Sequence, residues 1–569
     1  MIFGFLALIS CINVEGQSYI DYTTQLGISH TYGVDDFGGG ISFHDFDMDG
    51  WDDLTLSSEE GDSIVFYRNI GGMFERVYFE DVDHTGHAKQ ILWCDYDNDS
   101  DKDLLVTGKD WDNVLYINNG SFEFDPYILP APDTFATGPT YGATFGDVDL
   151  DGDLDLFICN RTITEPIPNQ LFLNNGDGTF TDVTPQSFFS GIHQFTFAAA
   201  FLDYNNDMLP DLYTAEDKQS FNQIYQNVGN GYLIDNCLNC GAEIVINAMN
   251  VGPGDYDNDG DLDIYITNTP AGNALLRNNG NGTFTELGGP AGVGYYQIGW
   301  CGTFLDYDYD KDLDLYVSGS SVTVTMKSVM YENQGNGQFV EPNDVGLLGD
   351  STRSFSHAVG DYNNDGFPDI AVSNILPDST QFWHHTGSDN NWVKIKLEGT
   401  VSNKEGIGSW IEVWSEGEKQ VRYTHCGVGY LSQNSAYEFV GLGSAMEADS
   451  IIVRWLSGVI DKVENVTANQ SITIVEGETI TSIHNQIEKD LSIYPNPVVD
   501  VLTLELAGGW KDSTIEVLDL DGRVVYKFAF LAKPTNRVYL NLSGLSAGSY
   551  VLNINIEGNR ILYKIIKAE

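Results

Sequence analysis

Positive charge is scarce in this chain. Lys and Arg total 27 against 83 Asp and Glu, a formal net charge of −56. A nucleic-acid binder needs a basic footprint to displace phosphate counterions, and electrostatic attachment to anionic lipid needs one too, so the balance argues against both. Long apolar runs are missing after the first 16 residues, and no later segment reaches the about 20 apolar residues of a membrane-spanning helix. Cysteine is sparse, with seven residues in all. Cys237 and Cys240 form a lone CxxC. No second pair or nearby His completes a zinc set, so the expectation is a small loop disulfide. Cys94, Cys159 and Cys301 sit in or beside apolar runs and read as core thiols. The HExxH signature of zinc hydrolases is also missing. Acidity alone could mean disorder, but 42% hydrophobic and 12% aromatic residues exclude it. The carboxylates of a chain that folds must be organised, and divalent cations are their obvious partners.

What is present is a repeat. A nine-residue pattern occurs seven times, as DFDMDGWDD from Asp45, DYDNDSDKD from Asp95, DVDLDGDLD from Asp147, DYNNDMLPD from Asp203, DYDNDGDLD from Asp255, DYDYDKDLD from Asp306 and DYNNDGFPD from Asp361. The spacings are 50, 52, 56, 52, 51 and 55 residues. A period near 50 fits a four-stranded propeller blade better than a helical repeat of about 34 or a leucine-rich repeat of about 20–29. Each loop leads straight into a buried-strand sequence such as LTLSS, LLVTG or IYITN. A hairpin signal follows, as in NQLFLNNGDGTF from Asn169 and NALLRNNGNGTF from Asn273. The seventh copy, at Thr380, is degraded. The fold expected for residues 17–389 is therefore all-β, a seven-bladed β-propeller closed by strands from the chain ends.

The loops have the chemistry of calcium sites. Calcium takes about six to eight oxygens, and a tight loop can present side chains from positions 1, 3, 5 and 9 and a carbonyl from position 7. The side-chain set is Asp45, Asp47, Asp49 and Asp53 in the first loop, then Asp95, Asp97, Asp99 and Asp103, then Asp147, Asp149, Asp151 and Asp155. The fourth loop has Asp203, Asn205, Asp207 and Asp211, and the fifth Asp255, Asp257, Asp259 and Asp263, with the Asp261 carbonyl. The last two have Asp306, Asp308, Asp310 and Asp314, and Asp361, Asn363, Asp365 and Asp369. An EF-hand would need Glu at position 12, where these loops have Leu56, Val106, Ile158, Thr214, Ile266, Val317 and Val372. Up to seven calcium ions are expected, one per loop. Position 6 favours Gly for a left-handed turn. Ser100, Met208 and Lys311 depart from this, and Met208 with Asn205 makes the fourth loop the weakest expected site. These loops and their flanks resemble the FG-GAP/VCBS propellers, including integrin α-subunit heads. The resemblance implies structural calcium within blades and ligands on another face.

From Asn391 the pattern changes to alternating strands, and residues 390–476 read as a small all-β module. SNKEGIGS, GYLSQNS and VRW-x-SG make it similar to the ASPIC/UnbV family, with Leu456 in place of the family's usual Pro. A polar linker covers 477–489. Residues 490–569 carry Tyr494-Pro495-Asn496-Pro497, LSAGSY ending at Tyr550 and a closing KIIK. They resemble a type IX secretion system type A sorting domain, an Ig-like β-sandwich. This implies the type IX machinery as a partner, a Bacteroidota-type bacterium, and a secreted or outer-surface location. The opening MIFGFLALISCINVEG reads as a signal peptide over 1–16, and LISC allows lipidation at Cys11 as a second reading. The functional expectation is an adhesion or ligand-binding protein for a glycan or an extracellular protein, not an enzyme. The alternatives are a polysaccharide-active enzyme and a structural matrix component. His84 with His87, and His384 with His385, lack a third ligand at motif spacing.

Overall fold

A computed structural model describes residues 18–35, 37–130, 139–162, 167–184, 195–235, 240–321, 326–343, 345–347, 350–478, 491–494, 498–510, 513–518, 524–529, 535–546, 548–556 and 559–568. The export segment with Cys11, most of the linker, Cys237 and Pro495–Pro497 lie outside the described residues. All named elements are β-strands, and no described helix is long and apolar enough to cross a membrane. The chain divides into two compact units, Met1–Glu478 and Thr479–Glu569.

In the first unit, seven four-stranded antiparallel sheets follow in sequence. Their first strands are Ile41–His44, Ala88–Cys94, Thr140–Gly146, Thr196–Leu202, Gly252–Gly254, Gly299–Leu305 and Ser354–Gly360. Each Asp-rich loop joins a first strand to a second, so all seven loops lie at the same end of their sheets. The seventh sheet has three consecutive strands and takes its fourth from the start of the chain, where Tyr19–Asp21 pairs with Gln381–His385. Each first strand lies beside the next, and Ser354–Gly360 lies beside Ile41–His44, a propeller-like arrangement. Apolar clusters form between neighbouring sheets. Phe46 and Phe66 of the first pack on Trp93, Leu104 and Tyr116 of the second. Burying such a side chain stabilises by roughly 1.5–3 kcal/mol, which is why the strands read as near-continuous apolar runs.

Residues 391–475 form two further sheets around one core. One has Asn391–Glu398 between Glu438–Gly443 and Gln470–Val475; the other is built on Trp410–Ser415 and Glu447–Arg454. Val393, Ile395, Val413, Val440, Val453 and Trp455 fill the space between them. This module belongs to the same compact unit as the seven sheets, and one of its loops accounts for that. Residues 425–435 run through the centre of the first strands and bond to each sheet in turn. Ile41 N donates to Leu431 O at 3.0 Å, Phe145 N to Cys426 O at 3.1 Å, Gly429 N to Val251 O at 3.0 Å and Ser435 N to Val359 O at 2.8 Å. The Gln433 side chain accepts from Trp93 N at 2.8 Å and donates to Trp93 O at 2.6 Å. His425 Nδ1 lies 3.1 Å from Phe201 O, and Ser432 Oγ 3.5 Å from Cys301 Sγ. Ser432–Gln433 even adds a short parallel strand to Ile41–His44.

The same axis is closed from the opposite end by residues 37–40. Tyr430 Oη donates to Phe37 O at 2.7 Å, and Lys89 Nζ donates to Gly38 O at 2.6 Å. Gly40 is required there, because a Cβ would lie 2.2 Å from Lys89 O and 2.9 Å from Leu431 O. The axis is therefore not an open depression. Tyr430, Leu431, Tyr32, Phe197 and Trp300 fill it as one buried cluster.

The second unit has a three-stranded sheet, Leu491–Tyr494, Val501–Trp510 and Thr535–Asn541, and a four-stranded sheet built on Ser513–Leu518 and Gly548–Ile556. Leu502, Leu504 and Leu540 of one share a core with Ile515, Leu552 and Ile554 of the other.

Candidate metal centres

The loop backbone explains how the carboxylates are brought together. In every loop the fourth and sixth residues are left-handed. At the fourth position φ runs from 55° at Asn364 to 63° at Tyr309, and at the sixth from 68° at Met208 to 95° at Gly260. Ser100, Met208 and Lys311 adopt the same turn as the glycines, at the strain a side chain carries there. This double curl lets the first carboxylate accept backbone N–H groups from across the loop. Asp45 takes Asp49 N and Gly50 N, both at 3.0 Å, and Asp255 takes Asp259 N and Gly260 N at 3.0 Å. The ninth carboxylate ties the loop to its sheet. Asp53 accepts Phe46 N at 3.0 Å and Asn69 N at 2.7 Å; Asp314 accepts Tyr307 N at 3.1 Å and Asn333 N at 2.7 Å.

The resulting clusters could hold metal ions. Ligand oxygens of Asp45, Asp47 and Asp53 lie within 4.8 Å of one another, as do those of Asp95, Asp97 and Asp99, of Asp147, Asp149 and Asp155, of Asp203, Asp207 and Asp211, and of Asp255, Asp257 and Asp259. One further such group exists among the described residues. Buried carboxylate oxygens without a hydrogen-bond donor point to the same fit: Asp95 Oδ1, Asp149 Oδ1, Asp211 Oδ2, Asp257 Oδ1 and Asp306 Oδ1. Burial and neighbouring carboxylates push Asp147 and Asp255 up to about 7 and Asp308 to about 6. Burial above all pushes Asp53 and Asp103 up to about 9. Acidic groups this uncomfortable are the donor set a hard divalent cation neutralises. The first loop is partly compensated, because the Arg68 guanidinium pairs with Asp47.

Sequence reasoning missed a second repeated residue, the Asn ending each third strand. Asn174 Nδ2 donates to Tyr96 O of the preceding sheet at 2.7 Å and to Leu154 O of its own loop at 3.3 Å. Asn69, Asn227, Asn278 and Asn333 repeat both bonds, reaching Tyr362 O, Val148 O, Tyr204 O and Tyr256 O of their neighbours. In the seventh sheet His385 takes the place of Asn, its Nε2 lying 2.8 Å from Tyr307 O. Six of the seven Asp loops, all but the first, are thereby bonded to the next sheet round. The signal was in the sequence, as the Asn two residues before the hairpin glycine in six of the seven copies.

The module of residues 391–475 covers these loops. Lys394 Nζ donates to Asp361 Oδ2 at 2.7 Å and Asn364 Oδ1 at 2.9 Å. Trp410 Nε1 donates to Asp203 Oδ2 at 3.1 Å, Lys404 N to Asn98 Oδ1 at 3.2 Å, and Lys396 sits 3.9 Å from Asp45. Lys311 of the sixth loop reaches Glu418 at 2.9 Å. The loops are thus roofed by a second layer of protein.

The remaining expected features resolve individually. Cys94, Cys159, Cys301 and Cys426 are buried free thiols, and Cys240 is disulfide-bonded. His384 Nδ1 lies 3.0 Å from Asp369 Oδ1 while His385 turns to the neighbouring sheet, so the two share no ligand. His87 pairs with Asp110 at 2.9 Å, and His84 is buried beside Trp111.

Comparison with known families matches FG-GAP-like repeats at residues 95–158, 163–214, 203–266, 255–317 and 320–372. ASPIC and UnbV matches residues 399–481, and a secretion system C-terminal sorting domain matches residues 492–568. None of the curated proteins matches the chain. Solved structures similar to it include the Photorhabdus luminescens Tc holotoxin pore, at 12% identity and a TM-score of 0.30, with 86% of this chain and 20% of that one covered. This chain therefore spans about a fifth of the holotoxin chain. A glucose dehydrogenase is 13% identical with a TM-score of 0.31, over 51% of this chain and 94% of that one.

Proposed function

Because the chain combines FG-GAP-like repeats, an ASPIC and UnbV domain and a secretion system C-terminal sorting domain, we propose that it is an exported ligand-binding protein built on a calcium-stabilised, seven-bladed β-propeller. The sorting domain directs it to the outer cell surface or beyond, and the tail unit is read as an Ig-like sandwich. The observation that carries the reading is the roofing of the Asp loops. Asp203, which could hold an ion with Asp207 and Asp211, already accepts from Trp410 of the covering module, so an ion there would sit against protein on its buried side. Calcium there joins strands, loops and module, and extracellular millimolar calcium suits sites of this kind. FG-GAP repeats and ASPIC and UnbV domains are not typical enzyme domains.

With the axis filled and the loop face roofed, the ligand-binding surface is assigned to the opposite end of the sheets, where their second-to-third-strand connections lie. Exposed Trp111 and Phe221 belong to those connections. Such side chains stack on sugars or anchor protein contacts. The test is retention of the full chain on insoluble polysaccharides in millimolar calcium, with the supernatant assayed for new reducing ends. Retention lost in Trp111→Ala without release of reducing ends supports a glycan-binding protein. Persistent release of reducing ends replaces the reading with a glycan-cleaving enzyme. Neither signal shifts it to a protein ligand or a structural matrix role.

A further inference from the structure

The axial segment brings one cysteine against another from a distant part of the chain. Cys94 ends the first strand of the second sheet, and Cys426 lies at the start of the segment that fills the axis. Both are buried, at 0% and 2% exposure, in one cluster with Leu92, Ile158 and Ile407. Burial and the neighbouring Cys426 thiol push the Cys94 thiol up. Neighbouring bonds hold them there. Gln433 Nε2 donates to Trp93 O, next to Cys94, at 2.6 Å, and lies 3.7 Å from Cys426 Sγ. Cys426 O accepts from Phe145 N at 3.1 Å and from Thr144 Oγ1 at 2.9 Å. The backbones on both sides of the pair are thus fixed by bonds that do not involve sulfur.

We propose that Cys94 and Cys426 form a disulfide that locks the axial segment of the module into the ring of sheets. Two further observations favour it. The sorting domain at residues 492–568 places the chain in an exporting, oxidising route, where thiol pairs in contact become disulfides. Cys240 is already disulfide-bonded. Cys159 has no comparable neighbour. Cys301, whose contacts are Ser432 Oγ at 3.5 Å and Tyr430 N at 3.4 Å, has none either. The two thus serve as internal controls.

The oxidant is a disulfide-bearing thiol–disulfide carrier. The thiolate of one cysteine attacks a sulfur of the carrier disulfide, breaks its S–S bond and forms a mixed disulfide, releasing one carrier thiolate. The second protein thiolate then attacks the protein sulfur of the mixed disulfide and expels the other carrier thiolate. Two protein S–H bonds become one S–S bond, and the carrier leaves as a dithiol with the two electrons and two protons. Burial of both sulfurs sets the order of events. The exchange occurs as the segment enters the ring, before the pair is sealed from solvent, and the finished bond is shielded from reductants.

The experiment uses the full chain secreted through an oxidising route. It is denatured in iodoacetamide without reductant, digested and read by mass spectrometry, in a preparation whose Cys240 peptide is found disulfide-linked. The expected result is a linked Cys94–Cys426 peptide pair, two hydrogens lighter than the sum of its parts, with Cys159 and Cys301 alkylated. The Cys426→Ser chain should then show Cys94 alkylated. Cys94 and Cys426 both alkylated in the wild-type chain, beside a linked Cys240, would overturn the proposal.

Discussion

The sixth and seventh Asp loops are neighbours with nearly the same ligand pattern and opposite surroundings. In the sixth, Asp306 Oδ1 is buried without a donor, and Glu332 stands beside Asp308 and Asp310 as a fifth carboxylate. The loop's own lysine, Lys311, turns outward to Glu416 and Glu418. In the seventh, every oxygen of the three carboxylates has a donor. Asp361 takes Asp365 N, Gly366 N and Lys394, Asp365 takes Phe367 N and the Asn363 amide, and Asp369 takes Tyr362 N, His385 N and His384. The hydrogen bond and charge of Asp369 outweigh burial and raise His384, so the loop faces Lys394 and an imidazole whose protonated form is favoured. A repeated motif therefore fixes the geometry of a site but not its need for a metal. That need is set by the residue before the clamping Asn, and by what the covering module brings.

The largest effect expected is that of removing calcium altogether. A site loaded at ten times its dissociation constant contributes roughly 1.4 kcal/mol, so six loaded loops contribute about 8 kcal/mol. Excess EGTA should lower the calorimetric Tm of the first unit sharply and leave the tail transition unchanged. Metal analysis of the calcium-saturated chain should give six ions, with the seventh loop empty; seven ions, or an unaltered Tm, would erase the contrast between the loops.

Single substitutions sharpen it next. Asp361→Asn leaves Lys394 buried without its counter-charge, a loss of about 3–5 kcal/mol that should be the same in calcium and in EGTA. Asp306→Asn should cost about 1–2 kcal/mol in calcium, through the lost ion, and should stabilise the chain in EGTA by relieving repulsion. Denaturant unfolding of both variants in both conditions reads this crossing directly. A calcium-dependent Asp361→Asn would show that the seventh loop is a metal site like the others.

How much of this could be read beforehand depends on the range of the contacts. The Asp positions were legible because each acts within nine residues of its loop, and the hairpins because their turns are local. Closure by a chain-end strand was legible from the degraded seventh copy at Thr380, but not that Tyr19–Asp21 supplies it. Lys394, Trp410 and Gln433 were not legible. Their partners lie 33, 207 and 340 residues away, and no periodicity links them. GYLSQNS had the look of an ordinary Gly- and Ser-broken strand junction, and only the ring around it gives those residues their role.

The gentlest test is pH. In the chelated chain, burial and neighbouring carboxylates raise Asp308 to about 6 and Asp255 and Asp147 to about 7, above their unfolded values near 3.8. A group whose pKa is raised by folding binds its proton more tightly in the folded state. Its contribution is fully present below the unfolded pKa and is lost as pH rises through the folded one. The Tm in EGTA should therefore fall steadily from pH 5 to pH 8, against the usual direction for a protein whose acids are salt-bridged. In calcium the ions occupy the oxygens of the other six loops, the protons there are displaced, and only the share of the seventh loop should remain. The seventh loop adds to the fall in the same direction, because Asp369 is raised to about 7 and its hydrogen bond and charge raise His384 as well, so both bind protons more tightly in the folded chain. In a His384→Gln chain the hydrogen bond and charge that hold Asp369 down are gone, so the fall should extend to higher pH in calcium and in EGTA alike, and an unchanged range would mean that the imidazole does not stand in for a cation.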